Sequence, residues 1–135
     1  MRAGTHAMHN IVGFAKACEL AKERMSCNIK GYIESEILFK KEILKIRSDV
    51  TFNGDQEQKI PGLLSINIPG INNELFCKEV SDRIAFSTGS ACSIGEKSYV
   101  LEALKIKNPM NTIRISLPCK TDNIIDVIRI LEEYL

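Results

Sequence analysis

One of the five cysteines in this sequence is placed where a thiol could do covalent chemistry. Cys92 lies in the run STGSACSIGEKS, among small residues and between Gly89 and Gly95. Glycine adopts backbone angles that other residues avoid, so this run is typical of an exposed loop. A thiolate on such a loop is accessible to a reaction partner and can act as a nucleophile. Cys92 is therefore the candidate nucleophile.

The other cysteines are expected to be structural, because free cysteine usually behaves as a small buried hydrophobe. They are Cys18, Cys27, Cys77 and Cys119. An odd number of cysteines, with no CxxC pair and no secretory signal before them, favours a reducing cytoplasm over a disulfide framework. His6 and His9 lack the paired-cysteine spacing of a zinc site, so no metal site is expected. They are also read as solvated polar residues near the chain start, not as catalytic bases.

Composition limits the number of domains and the classes of partner. A chain of 135 residues with 44% hydrophobic content suits one domain spanning 1–135. Its 18 basic and 17 acidic side chains give a net charge of +1, so no electrostatic feature favours nucleic acid. Apolar runs are short and interrupted by charges, which predicts no membrane span and a cytoplasmic location.

The opening region predicts a pair of helices, at 10–24 and 29–46. The first carries apolar residues at helical spacing, Ile11, Phe14, Ala15, Cys18 and Ala21, and Met25 just after it continues the face of Cys18; this stripe is expected to be buried. Short strands are predicted at 50–52, 64–68 and 84–87, with turns at Asn53-Gly54 and Pro69-Gly70. A short helix capped by Asn73 is predicted between the last two strands, and a helix capped by Ser98 begins at Tyr99.

The segment 112–117 is the clearest strand in the sequence. Ile113, Ile115 and Leu117 lie on one face, whereas Thr112, Arg114 and Ser116 lie on the other, so Arg114 is aimed away from the core. A last helix from about 122, with Thr121 as its cap, buries a stripe of apolar residues: Ile125, Ile128, Leu131 and Leu135. Mixed helices and strands without strict alternation predict an α+β fold, a small and largely antiparallel sheet covered by helices.

Three ordered motifs resemble the C-terminal part of a cysteine desulfurase of the NifS/IscS type, in the class-V aminotransferase family. They are RAGTHAMHNIVGFAKACELAKE, STGSACSIG and TIRISL, and the similarity spans nearly the whole chain. The resemblance implies the C-terminal small domain of a homodimeric fold-type I pyridoxal-phosphate enzyme, with part of the interdomain helix. Such enzymes convert L-cysteine to L-alanine and keep the sulfur as a persulfide. The Schiff-base lysine of the large domain precedes the matched region, so this chain is expected to be inactive alone.

The resemblance also implies roles for three residues. Cys92 matches the nucleophile that receives the sulfur, a task for a thiolate. Arg114 matches the arginine that holds the substrate carboxylate, which suits the planar guanidinium fork. Thr5 matches the threonine that contacts the phosphate of the partner subunit's pyridoxal phosphate, where a hydroxyl and amides ahead of a helix suit an anion.

The sulfur acceptor and two other classes of function stay open at this point. The resemblance implies an acceptor protein such as an iron–sulfur scaffold, but the run between Cys92 and Tyr99 is shorter than in many relatives. Loop reach decides which acceptor can collect the sulfur, so tRNA thiolation and DNA phosphorothioation proteins also remain candidates. The chain could instead be a stand-alone persulfide carrier or interaction module without pyridoxal chemistry, or a structural domain with an inert Cys92.

Overall fold

A long helix and a three-stranded sheet form the frame of the molecule, whose computed structural model describes residues 4–89 and 98–135. The helices are α1 (Met8–Ile46), α2 (Asn73–Glu79), α3 (Tyr99–Ala103) and α4 (Ile124–Tyr134), with a 3-10 turn at Pro109–Asn111. The strands are β1 (Thr51–Phe52), β2 (Leu63–Asn67) and β3 (Thr112–Ser116), antiparallel in the order β1-β2-β3. The predicted α+β class with a small antiparallel sheet is confirmed.

The hydrophobic core lies between one face of the sheet and the helices. In the β2–β3 pair, Leu64 lies opposite Ile115 and Ile66 opposite Ile113, so alternate residues point to the same side. The buried core residues are Phe39, Ile43, Val50, Leu64, Ile66, Ile68, Phe76, Val80, Ile113, Ile115, Leu117, Ile124, Ile128 and Leu131. The C-terminal third of α1 therefore packs on the sheet together with α2 and α4.

The prediction of two opening helices is wrong, because α1 is one continuous helix of 39 residues. The segment between the two predicted helices holds neither proline nor glycine, so nothing in it breaks the helical hydrogen bonds. Gly31 lies inside the helix for a packing reason. A Cβ atom at this position would lie 2.0 Å from the backbone oxygen of Cys119. Only glycine allows the segment around Cys119 to approach α1 so closely.

The predicted burial of the stripe on α1 is also wrong within the described residues. Phe14 is 73% exposed, Met25 is 53% exposed, and both Cys18 and Cys27 are exposed. The buried residues of α1 are confined to its C-terminal third: Ser35, Glu36, Phe39 and Ile43. The apolar period predicted the helix correctly, but a helical period does not say which surface covers its apolar side.

The strand predicted at 84–87 is reduced to one isolated bridge, Ser87 to Arg114. The preceding backbone continues the turn that ends α2, since the Arg83 and Ile84 amides both donate to the Val80 carbonyl, at 3.0 and 2.8 Å. Those hydrogen bonds hold the chain in a turn as far as Ile84, and the pairing with β3 is confined to Ser87.

Two predicted helix caps are wrong by one or two positions, and one is confirmed. Asn72 caps α2, because its side chain accepts from two backbone amides, whereas Asn73 is buried and donates to the Thr112 carbonyl at 2.9 Å. The helix α4 begins two residues later than predicted, and the residue before it makes no side-chain cap. Ile124 is buried at the start of this helix, whereas Ile125, which was predicted to be buried, is 39% exposed. The Ser98 cap of α3 is confirmed, because its hydroxyl accepts from the Leu101 amide at 3.4 Å.

The predicted faces of the segment 112–117 are confirmed for Ile113, Ile115 and Leu117, which are buried, and for Arg114, which is exposed. Thr112 differs, because it is buried although it belongs to the other face. Its hydroxyl accepts a hydrogen bond from the Asn67 side chain at 3.1 Å. A polar neighbour therefore covers Thr112 and leaves Arg114, two residues further along, open to solvent.

Candidate functional site

Arg114 is held on both sides at the middle of β3. On one side it lies opposite Ser65 of β2, and on the other it pairs with Ser87. Arg114 and Ser87 exchange both backbone hydrogen bonds, at 2.7 and 3.1 Å. Residues directly opposite in an antiparallel pair share a face, so the three side chains form a polar row on the side of the sheet away from the core.

Among residues 4–89 and 98–135, one side-chain hydrogen bond holds the guanidinium group of Arg114. Its Nη2 atom donates to the Ser87 Oγ atom at 3.0 Å. Arg47, Arg83 and Arg129 each pair with a carboxylate, whereas none of the ion pairs among the described residues involves Arg114. A guanidinium with unused N–H groups on an exposed face can bind a carboxylate through two parallel hydrogen bonds.

Cys92 lies in residues 90–97, outside the described residues. The residues on either side of this segment are described. On one side, Ser87 pairs with Arg114, and on the other, Ser98 caps α3. Cys92 follows Ser87 by five positions, and a chain of that length spans at most about 18 Å. The covalent chain thus limits how far the candidate nucleophile can lie from the candidate carboxylate anchor.

Thr5 is far from Arg114 along this chain. It is exposed and lies three residues before α1. The first buried residue of that helix, Ser35, comes 27 residues after Met8, which is about 40 Å at 1.5 Å per residue. The sheet that carries Arg114 packs on α1 only from Ser35 onward, whereas Thr5 precedes the opposite end of the helix. The structure therefore does not bring Thr5 and Arg114 together within one chain.

The start of α1 nevertheless fits an anionic group such as a cofactor phosphate. Its first turn holds no acidic residue and its N-terminus has no side-chain cap, which suits an anion next to the Thr5 hydroxyl, but the Met8 and Asn10 amides already donate to the His6 and Ala7 carbonyls, at 2.9 and 3.0 Å. Among the described lysines, only Lys40 and Lys59 are partly buried, and both pair with Glu36. The role of Thr5 as a phosphate contact therefore stays a prediction, and Glu36 already engages the two least exposed lysines of the described residues.

Ser87 and Glu36 are polar residues that the sequence analysis missed. A signal for Ser87 was available, since it is the first residue of the run that holds Cys92, but only the fold shows that it faces Arg114. Glu36 is 9% exposed and accepts from Lys40 at 2.7 Å and from Lys59. Its spacing to Lys40 is that of a helical ion pair, whereas the contact with Lys59 is set by the fold.

Residues 4–89 and 98–135 hold neither a metal-binding cluster nor a helix able to cross a membrane. No three histidine, cysteine, aspartate or glutamate side chains in these ranges come together as a metal site. No helix in these ranges has both the length and the apolar composition that a membrane crossing requires.

Comparison with known proteins identifies the family. The family model for Aminotransferase class-V matches residues 1–126. The cysteine desulfurase IscS of Pseudoalteromonas translucida (strain TAC 125) is 38% identical over 124 residues, which cover 87% of this chain and 30% of that protein. The cysteine desulfurase of Rattus norvegicus is 35% identical over 106 residues, which cover 77% of this chain and 23% of that protein. The chain thus spans less than a third of the length of these relatives.

Solved structures agree with the family. A NifS-like protein superposes with a TM-score of 0.81 at 25% identity, over 98% of this chain and 35% of that chain. The NifS-like protein from Rickettsia africae ESF-5 gives a TM-score of 0.82 at 23% identity, a likeness that shows the fold alone. The resemblance to the NifS/IscS type found in the sequence is confirmed. The family model covers residues 1–126, and the fold agrees with it. This chain therefore belongs to the class-V aminotransferase family.

Proposed function

We propose that residues 1–135 form the C-terminal small domain of a cysteine desulfurase, with part of the interdomain helix. In this proposal Arg114 binds the carboxylate of L-cysteine, and Cys92 receives the sulfur as a persulfide while L-alanine is released. The observation that carries the proposal is the pairing of Arg114 with Ser87, because the chain runs from Ser87 directly into the segment that holds Cys92. The desulfurase names of the relatives support it.

Each residue has a task that its chemistry suits. The guanidinium group of Arg114 orients the substrate by a two-point contact with its carboxylate. The Cys92 thiolate attacks the substrate sulfur, so a sulfur–sulfur bond forms as the carbon–sulfur bond breaks. The carbon keeps the bonding electron pair and takes up a proton, which gives L-alanine. Pyridoxal phosphate, when bound, supplies the electron sink that makes this carbon a leaving group.

The proposal includes a second subunit and a protein that accepts the sulfur. Thr5 contacts the phosphate of the partner subunit's cofactor in a homodimer, which agrees with its distance from Arg114 along one chain. The persulfide passes to an acceptor such as an iron–sulfur scaffold protein, and the enzyme acts in the cytoplasm. The cofactor lysine is supplied by a large domain of the kind that makes up the rest of the relatives' length.

The decisive experiment follows the sulfur atom. The chain is joined to the large domain of the Pseudoalteromonas translucida relative and incubated with L-cysteine, and its peptides are examined by mass spectrometry. We expect one added sulfur on the peptide that contains Cys92, and we expect Cys92→Ser to lose it while Cys27→Ser keeps it. Added sulfur on another cysteine, or unchanged turnover of the Cys92→Ser protein, would overturn the assignment.

The isolated chain separates the desulfurase from the persulfide-carrier alternative. If the proposal is right, the 135-residue chain releases neither sulfide nor alanine from L-cysteine, and Cys92 gains no sulfur without the large domain. Rapid and selective transfer of sulfur from glutathione persulfide to Cys92 in the isolated chain would favour a carrier instead.

A further inference from the structure

We propose that Ser87 is a positioning residue for Arg114, and that its hydroxyl couples the carboxylate anchor to the chain that leads to the nucleophile. The proposal rests on the function assigned above to Arg114. Ser87 lies opposite Arg114 in an isolated two-residue bridge, with both backbone hydrogen bonds formed. The backbone hydrogen bonds alone therefore hold Ser87 opposite Arg114, and the side-chain contact adds to them.

The direction of the side-chain hydrogen bonds gives the Ser87 hydroxyl a defined role. A serine hydroxyl has one proton to donate and two lone pairs that accept. The Ser87 Oγ atom lies 3.2 Å from the Gly89 carbonyl, an acceptor, and 3.0 Å from the Arg114 Nη2 atom, a donor. The hydroxyl therefore donates to Gly89 and accepts from Arg114, and one atom joins the guanidinium to the backbone of the cysteine-containing run.

This arrangement fixes an otherwise mobile side chain on an exposed surface. Arginine loses rotamer freedom when its guanidinium is held, so an anchor that acts before substrate arrives lowers the entropic cost of binding. Only one of the five guanidinium N–H groups is used by Ser87, which leaves others for a two-point contact with a carboxylate. Ser87 is thus expected to improve the binding of the substrate carboxylate without touching it.

The kinetic test uses the joined enzyme described above. Ser87→Ala should raise KM for L-cysteine by about fivefold, the effect of one ordinary hydrogen bond, with kcat within about twofold of the parent. Ser87→Thr, which keeps the hydroxyl, should restore most of the loss. Ser116→Ala is the matched control, since Ser116 is exposed and lies on the same face of β3 as Arg114. It should leave both constants unchanged.

A double variant separates positioning from a general effect on folding. If Ser87 acts through Arg114, adding Ser87→Ala to Arg114→Lys should raise KM no further. A full additional fivefold rise in the double variant, or a normal KM for Ser87→Ala alone, would overturn the proposal.

A second measurement on the 135-residue chain keeps this inference distinct from the proposed function. Phenylglyoxal modifies free guanidinium groups, and mass spectrometry gives the rate at Arg114 relative to the exposed Arg129 of the same sample. We expect Ser87→Ala to raise this ratio about threefold, because one hydrogen bond to the guanidinium is lost. An unchanged ratio would overturn the positioning role. Failure of the joined parent enzyme to release L-alanine would refute the proposed function, while this ratio would still decide the role of Ser87.

Discussion

Replacement of Glu36 by glutamine is expected to weaken the attachment of α1 to the loop between β1 and β2. The Glu36 side chain is 11% exposed and accepts from the Lys40 ammonium at 2.7 Å, from the Lys59 ammonium, and from the Gly62 amide at 3.3 Å. Lys59 and Gly62 belong to that loop, whereas Lys40 lies one turn along the helix. Burial alone would raise the pKa of Glu36, but these three hydrogen bonds and the charge of Lys40 outweigh it and lower the pKa below its usual value.

The size of the effect follows from how much water reaches the cluster. Breaking a fully buried ion pair costs about 3 to 5 kcal/mol, and a surface pair contributes about 0 to 1 kcal/mol. The side chains of Lys40 and Lys59 are 23% and 17% exposed, so both ammonium groups keep partial hydration. The Glu36→Gln change keeps the side-chain volume but leaves both ammonium groups beside a neutral amide. We expect the free energy of unfolding to fall by about 2 kcal/mol at pH 7.

The assay is urea unfolding followed by circular dichroism at several pH values. Because the folded-state pKa of Glu36 is depressed, its charge stabilises the fold above the unfolded-state value of 4.5, and this stability is lost as the pH falls through the folded-state pKa. The difference between parent and Glu36→Gln should therefore be full at pH 7 and shrink below about pH 4.5. Glu34→Gln is the control, since Glu34 is exposed and its contact with Lys30 is 4.0 Å. A Glu36→Gln cost no larger than that of Glu34→Gln, or one that stays constant with pH, would refute this reasoning.

Three further predictions concern the substrate anchor, the cysteines and the helix packing. In the joined enzyme, Arg114→Lys should weaken L-cysteine binding by about 1.5 to 3 kcal/mol, measured as a rise in KM, because a lysine cannot make the two-point contact. An unchanged KM and kcat would show that Arg114 does not bind the substrate. In the folded chain, Cys18 should be alkylated by iodoacetamide at least about tenfold faster than Cys77, because Cys18 is exposed whereas burial raises the pKa of the Cys77 thiol. Equal alkylation rates would contradict this prediction. Gly31→Ala should lower the free energy of unfolding by about 2 kcal/mol or more, because its Cβ atom would clash with the Cys119 backbone oxygen, whereas Gly13→Ala in the same helix should raise it by up to about 1 kcal/mol. Urea denaturation of both variants checks that the two effects have opposite signs.

Local patterns in the sequence were sufficient for the elements whose structure depends on neighbouring residues. The alternation in Thr112–Ser116 predicted the strand, its buried face and the outward direction of Arg114, because side chains in a strand alternate by covalent geometry. The cap at Ser98 was readable for the same local reason, since its hydroxyl bonds an amide only three residues away. The motifs around Cys92 and Arg114 were also sufficient to indicate the family that the comparisons confirm.

Contacts between distant parts of the chain were decided only by the tertiary structure. The apolar period of α1 predicted a helix, but burial depends on what packs against it, and only the third of the helix from Ser35 onward meets the sheet. The contact of Ser87 with Arg114 spans 27 residues, and that of Glu36 with Lys59 spans 23. No local propensity encodes such pairs, because they form when the sheet register and the crossing of the helix over it bring separate segments together.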